Sequence, residues 1–148
     1  MLRNGTMDAC ILAEPSYPDD MARFQLANDP FVVAFPKDYP VEKMASVPLE
    51  ALDDHLSIKR SLCEFPRYLA VKTGIVSSRQ DATTNLHSIT DEMICQNLIT
   101  EGAGVAEVPE SLMLLQGVRS RLLIRPAISR KISIVTRADS PLSARLPN

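Results

Sequence analysis

The sequence predicts an α/β fold in which helices pack on a parallel sheet, and three stretches carry that prediction. The first runs from Asn85 to Pro109 and reads as a helix, a glycine turn and a short strand, the order by which a parallel unit returns its chain to the sheet. The second is Phe31-Val32-Val33-Ala34-Phe35, a continuous apolar run between Pro30 and Pro36, as in a strand buried on both faces. The third is Lys131 to Thr136, whose β-branched residues nearly alternate and suit a pleated surface. With 148 residues and an apolar fraction of 45%, the chain can fill one domain or two small lobes around a packed core.

From the N-terminus, Leu2 to Leu12 gives the tail of a helix, a glycine and a short apolar strand from Asp8 to Leu12. A strand opening a parallel sheet needs neighbours and a crossover helix, so a truncated domain is expected. A loop rich in Pro and Asp, Glu14 to Asp20, leads to Phe24 to Leu26 and then to the Phe31 run. Lys37 to Tyr39 is a turn, and Ser46 to Leu52 is one capped helical turn with Pro48 near its start. His55 to Ile58 makes a brief strand and Lys59-Arg60-Ser61 a polar loop. Leu62 to Lys72 is helical, with Pro66 tolerated in the first turn and Gly74 at the end. Ile75 to Thr84 alternates as a strand does. After Pro109, Glu110 to Gln116 reads as a short helix closed by Gly117, followed by strands at Leu122 to Ile124 and Lys131 to Thr136 and a tail from Asp139. There are no internal repeats and no low-complexity tracts.

The helix within Asn85 to Glu101 organises the rest. Ser88 or Asn85 is placed to cap it, Thr90, Asp91 and Glu92 fill its first turn, and Gly102 ends it. Ile89 stacks with Met93 and Ile94 with Leu98, beside Cys95 and Ile99, so the helix is apolar on more than one side and is expected between a sheet and a neighbour. Gly102 and Gly104 follow the helix and precede the strand, the reverse of a dinucleotide fold, so they read as packing glycines. The open anion-binding end is then the helix N-terminus, where amides converge with the hydroxyls of Ser88 and Thr90.

Composition narrows the function classes. A net charge of -2 with scattered Lys and Arg leaves no basic stripe for a nucleic-acid backbone. No apolar run reaches bilayer length and the first residues lack a charged-then-apolar export pattern, so no membrane partner and a cytoplasmic location are expected. Cys10, Cys63 and Cys95 are odd in number and widely separated, which suits reduced thiols in a core. His55 and His87 lie far apart and no Cys-x-x-Cys occurs, so neither metal nor cofactor is expected. No nucleophile, base and acid set is readable, and Asp53-Asp54 reads as a solvated turn, so the chain is not expected to be an enzyme.

Several stretches, in order, resemble the effector-binding domain of LysR-type transcriptional regulators. Leu2-Arg3-Asn4-Gly5-Thr6-Met7-Asp8-Ala9-Cys10-Ile11 is similar to its leucine, glycine, aspartate lead into a strand. Phe31 to Pro40 looks like its strand and "hydrophobic, Pro, Lys, x, His, Pro" turn, with Tyr39 where histidine is usual. Ser46 to Leu52 is similar to its Leu-x-x-Leu turn, and Glu101 to Pro109 to its Gly-x-Gly strand. Arg125-Pro126 with Lys131 to Arg137 resembles the closing strands, and Ser140-Pro141-Leu142-Ser143 the entry to the last helix.

The resemblance implies a type 2 periplasmic-binding-protein-like domain of two lobes with a small-molecule cleft, one lobe incomplete. By that comparison residues 1–34 and 124–148 are a remnant of lobe I and 35–123 form lobe II, with no winged helix-turn-helix present. Effector contacts map to Ser88 and Thr90, and to Arg60 and Ser61, where a guanidinium suits a carboxylate effector such as an organic acid. Ordinary capping competes for the two hydroxyls, and a solvated turn for Lys59 and the loop. DNA would be reached only through a head domain absent from these residues, in a full-length regulator expected to be a homo-oligomer. Peroxide-sensing members of the family carry a reactive cysteine near Cys63, but a resolving thiol is needed and none lies between Cys63 and Cys95, so a buried structural thiol is the stronger reading. The alternatives are a solute-binding protein of similar fold, which would need an export signal, a cysteine-based redox sensor, and a small enzyme using Cys63 or His87.

Overall fold

The computed structural model describes residues 2–74 and 85–146. The chain divides into two units, Met1–Asp29 with Arg130–Asn148, and Pro30–Ser129.

In the first unit, β1 (Ala9–Leu12) pairs antiparallel with β8 (Ser129–Arg137), Cys10 facing Val135 and Leu12 facing Ser133. β8 lies between β1 and the first part of β2 (Met21–Pro36). Residues 2–6 form turns and no helical tail. Gly5 sits there at φ 73, a left-handed conformation open to glycine. Asp29 and Arg130 form a buried ion pair, Nε to Oδ2 at 2.8 Å.

The second unit holds the rest of β2, from Pro30 to Pro36. The β2 ladder to β6 begins at Phe31, so the missing N–H of Pro30 falls outside that ladder. β2 pairs antiparallel with β6 (Ala106–Pro109) on one side and β7 (Val118–Ile124) on the other, and β7 pairs parallel with β3 (Val47–Pro48). β4 (Ser57–Arg60) pairs parallel with β5 (Asn85–Ile89), and Ser57 bridges Val105 in parallel. The sheet is therefore mixed, not parallel as expected. An apolar run reports burial on both faces and carries no information about direction.

That burial is complete from Phe31 to Phe35, each at most 1% exposed. Phe31, Val33 and Phe35 pack with α1 (Phe65–Thr73) through Phe65, Tyr68 and Leu69. Ala34, on the opposite face, packs with Cys95 and Ile99 of α2 (Glu92–Thr100). The period of two in β2 thus supplies two cores from one strand. α1 has Pro66 in its first turn and ends at Gly74, φ 72, as its sequence requires.

Three expectations change. α2 starts later than its pattern suggested, because Asn85–Ile89 is taken as a strand by pairing with β4, and Asp91 caps it by accepting from Ile94 N at 3.0 Å. Met93 and Ile94 stand about half exposed, so only one face of α2, through Cys95, Gln96 and Ile99, is buried in this unit. Glu110 to Gln116 forms a single 3-10 turn, Glu110–Leu112, because the Gln96 side chain captures the next amides. Of the two glycines expected to pack closely only Gly104 does: a Cβ there would lie 2.5 Å from the Leu56 carbonyl oxygen, which accepts from Val105 N. A Cβ on Gly102, at φ 80, would meet nothing within 4 Å, so that glycine serves the helix end alone. The strand expected at Ile75 to Thr84 lies outside the described residues.

Candidate functional site

Parallel pairing of β4 and β5 places their carboxyl ends side by side, with Arg60 opposite Ile89 and Ser61 N donating to Ile89 O at 2.9 Å. The backbone of Arg60 and Ser61 is thereby brought next to that of Ser88, Ile89 and Thr90, the segment leading into α2. Thr90 and Ser61 are exposed. Ser88 lies in β5 and not at the helix terminus; the side chains of residues 85–88 lie outside the described set. The helix end itself carries the Asp91 cap and Glu92, so it is acidic and not an open cradle of amides.

Arg60 is held, not free. Its Nε and Nη2 meet Glu92 Oε2, the first at 2.9 Å, with the two side chains 12% and 17% exposed. Its Nη1 donates to Cys63 Sγ at 3.3 Å and to the Glu107 carbonyl at 3.4 Å, and Cys63 Sγ lies 3.8 Å from that carbonyl. Burial works to lower the pKa of Arg60, and the negative partners Cys63 and Glu92 more than offset it, leaving it raised. Burial pushes the Cys63 thiol up, with the Arg60 cation pulling the other way. Cys95, one turn beyond Glu92, is pushed up to about 11 by burial and by the Glu92 carboxylate. All three cysteines are free thiols.

Sequence reasoning missed the two residues that tie this corner together. Glu92 gives Oε2 to Arg60 and Oε1 to Gln96 Nε2, 2.9 Å away. Gln96, fully buried, donates also to Leu112 O and accepts from Leu114 N at 2.9 Å and Leu115 N at 3.0 Å. Its amide thus uses both donors and both acceptor sites. The i, i+4 spacing of Glu92 and Gln96 was visible; the partner at Arg60, 32 residues upstream, was not. Glu107 is half-buried and meets Arg60 through its carbonyl. His55 Nδ1 lies 3.0 Å from Tyr39 Oη, and Asp53 and Asp54 are exposed. Among the described residues no group of His, Cys, Asp and Glu could hold a metal ion, and no helix is long and apolar enough to cross a membrane.

The model of the LysR substrate binding domain matches residues 1–147. The chain belongs to that family. Its fold is accordingly the type 2 periplasmic-binding-protein-like α/β fold, the effector-binding part of a LysR-type regulator. A "probable hydrogen peroxide-inducible genes activator" of Mycobacterium avium is 29% identical over 148 residues, covering 95% of this chain and 46% of the relative. One of the same description from Mycobacterium leprae is 27% identical over 155 residues, covering 97% and 47%. The chain therefore spans just under half the length of these relatives. Among solved structures, a full-length OxyR mutant from Pseudomonas aeruginosa aligns with a TM-score of 0.73 at 25% identity, covering 97% of this chain and 48% of that one. A peroxide-bound OxyR mutant from Corynebacterium glutamicum aligns with a TM-score of 0.74 at 24% identity over 94% and 45%.

Proposed function

We propose that this domain senses a small anionic effector, an organic acid, at the carboxyl ends of β4 and β5, and so biases the DNA binding of a full-length LysR-type regulator. The observation that carries the reading is the pairing of β4 with β5, which gathers Arg60, Ser61 and Thr90 at one end of two parallel strands. In open α/β sheets ligands bind outside such strand ends. Ser88 joins the site by its place in β5. Residues 1–34 and 124–148 are read as belonging to one lobe and 35–123 to the other. The regulator is read as a cytoplasmic homo-oligomer that catalyses no reaction, and effector binding acts by differential affinity for two arrangements.

Calorimetric titration with a panel of short mono- and dicarboxylates tests this. One acid is expected to bind, with Ser61→Ala and Thr90→Val each weakening it about tenfold, the worth of a hydrogen bond to a charged group. Binding untouched by both substitutions, or no binding across the panel, overturns the reading.

A second reading is favoured by the contact of Cys63 Sγ with the Arg60 guanidinium and by the peroxide-inducible description of the relatives. Here the Cys63 thiolate attacks one oxygen of hydrogen peroxide, the O–O bond breaks, and a sulfenic acid and hydroxide result, the hydroxide taking a proton from solvent to leave as water. Dimedone labelling after peroxide treatment is expected at Cys63 and absent in Cys63→Ser; no label in the parent protein removes this reading.

A further inference from the structure

We propose that Glu92 and Gln96 form a relay that couples the Arg60 corner to residues 112–115, so that the partner held by Arg60 sets whether that segment is fastened or loose. The proposal deepens the sensing reading and rests on it for the physiological trigger, a new anion at Arg60 or a changed charge at Cys63. The relay itself is a matter of valence. Glu92 has two carboxylate oxygens, and each serves a different master: Oε2 takes Arg60 and Oε1 takes Gln96. Gln96 has no unused polar site, and three of its four bonds go to the backbone of Leu112, Leu114 and Leu115. A rotation of Glu92 that follows Arg60 therefore removes one of the bonds that hold the Gln96 amide in place, and a misplaced amide leaves part-buried backbone groups of residues 112–115 without it.

The far end matters to the core. Leu112, Met113 and Leu115 pack on the cluster that contains Cys95, Ile99 and Ala34, and Leu114 is exposed between them. Loosening 112–115 would change both the packing under α2 and the surface that Leu114 presents. Neither ordinary capping nor simple burial needs one carboxylate to be shared between a guanidinium and a buried amide across three chain segments.

Hydrogen exchange of the Leu114 and Leu115 amides reads the coupling directly. Arg60→Met is expected to speed both amides about tenfold while the Ile58 amide, which donates to Val105 O, keeps its rate and controls for global opening. Gln96→Met should speed the same two amides, and Arg60→Met with Gln96→Met should be no faster than Gln96→Met alone, the signature of one shared path. Should the buried substitution prevent folding, Glu92→Ala serves instead: it removes both acceptor oxygens at once, the two amides should speed up, and adding Arg60→Met to it should speed them no further. Unchanged Leu114 and Leu115 rates in Arg60→Met, or rates in the double variant that multiply the two single effects, overturn the relay. Failure of the sensing reading would look different: no carboxylate would bind, with the exchange coupling intact.

Discussion

At the scale of single residues, the fate of Cys63 is decided by two opposed effects. Burial favours its neutral thiol and the Arg60 cation favours its thiolate, and burial wins, so the pKa stands above the ordinary value. Alkylation by iodoacetamide should therefore be slower than for a free thiol at pH 8 and should rise with pH above the usual thiol midpoint, because only the thiolate reacts. Arg60→Met removes the cation that draws the pKa down, so the midpoint should move further up and the rate at pH 8 fall again. A faster rate in that variant would mean that access, not charge, controls the thiol. The residue types at this corner were legible, as Arg60, Ser61 and Cys63 were each singled out. What they hold was not, since the carboxylate of Glu92 and the carbonyl of Glu107 come from segments distant in sequence.

At the scale of elements, the stretch from Asn85 to Pro109 shows what a pattern can and cannot say. Glycine at 102 and 104 marked a helix end and a close approach, and both are found, the second as a contact of Gly104 with the backbone of Leu56. Gly104→Ala should cost about 1–3 kcal/mol of stability in chemical denaturation, as over-packing against rigid backbone does. A neutral substitution would show that β4 can shift away. The start of α2 was misplaced because Ser88 and Thr90 are good capping residues whose segment has a better use, the β4 ladder, and Asp91 then takes the cap. Local preference named the candidates; a long-range pairing chose among them. The same cause explains the lost helix after Glu110, whose amides are claimed by Gln96.

At the scale of the whole molecule, the fold class was readable because it rests on which runs are apolar, whereas strand direction and unit boundaries rest on pairings between distant segments. Asp29 illustrates the difference: nothing in its local sequence marks it as buried, yet it is buried against Arg130, a residue from the other end of the chain. Asp29→Asn takes the carboxylate charge out of that buried pair and should lower stability by about 3–5 kcal/mol, measured by urea unfolding. A loss under 1 kcal/mol would mean that the other contacts of Arg130 suffice. β2 has a further consequence for how the second unit reaches its native pairing. Its bulky Phe31 and Phe35 point to one side and the small Ala34 to the other. A slip of one position would turn benzyl groups into the space shaped for a methyl and leave a void on the opposite side at once. The strand works like a key cut differently on its two edges: it turns in one orientation only, and a mistake on either edge is felt on both.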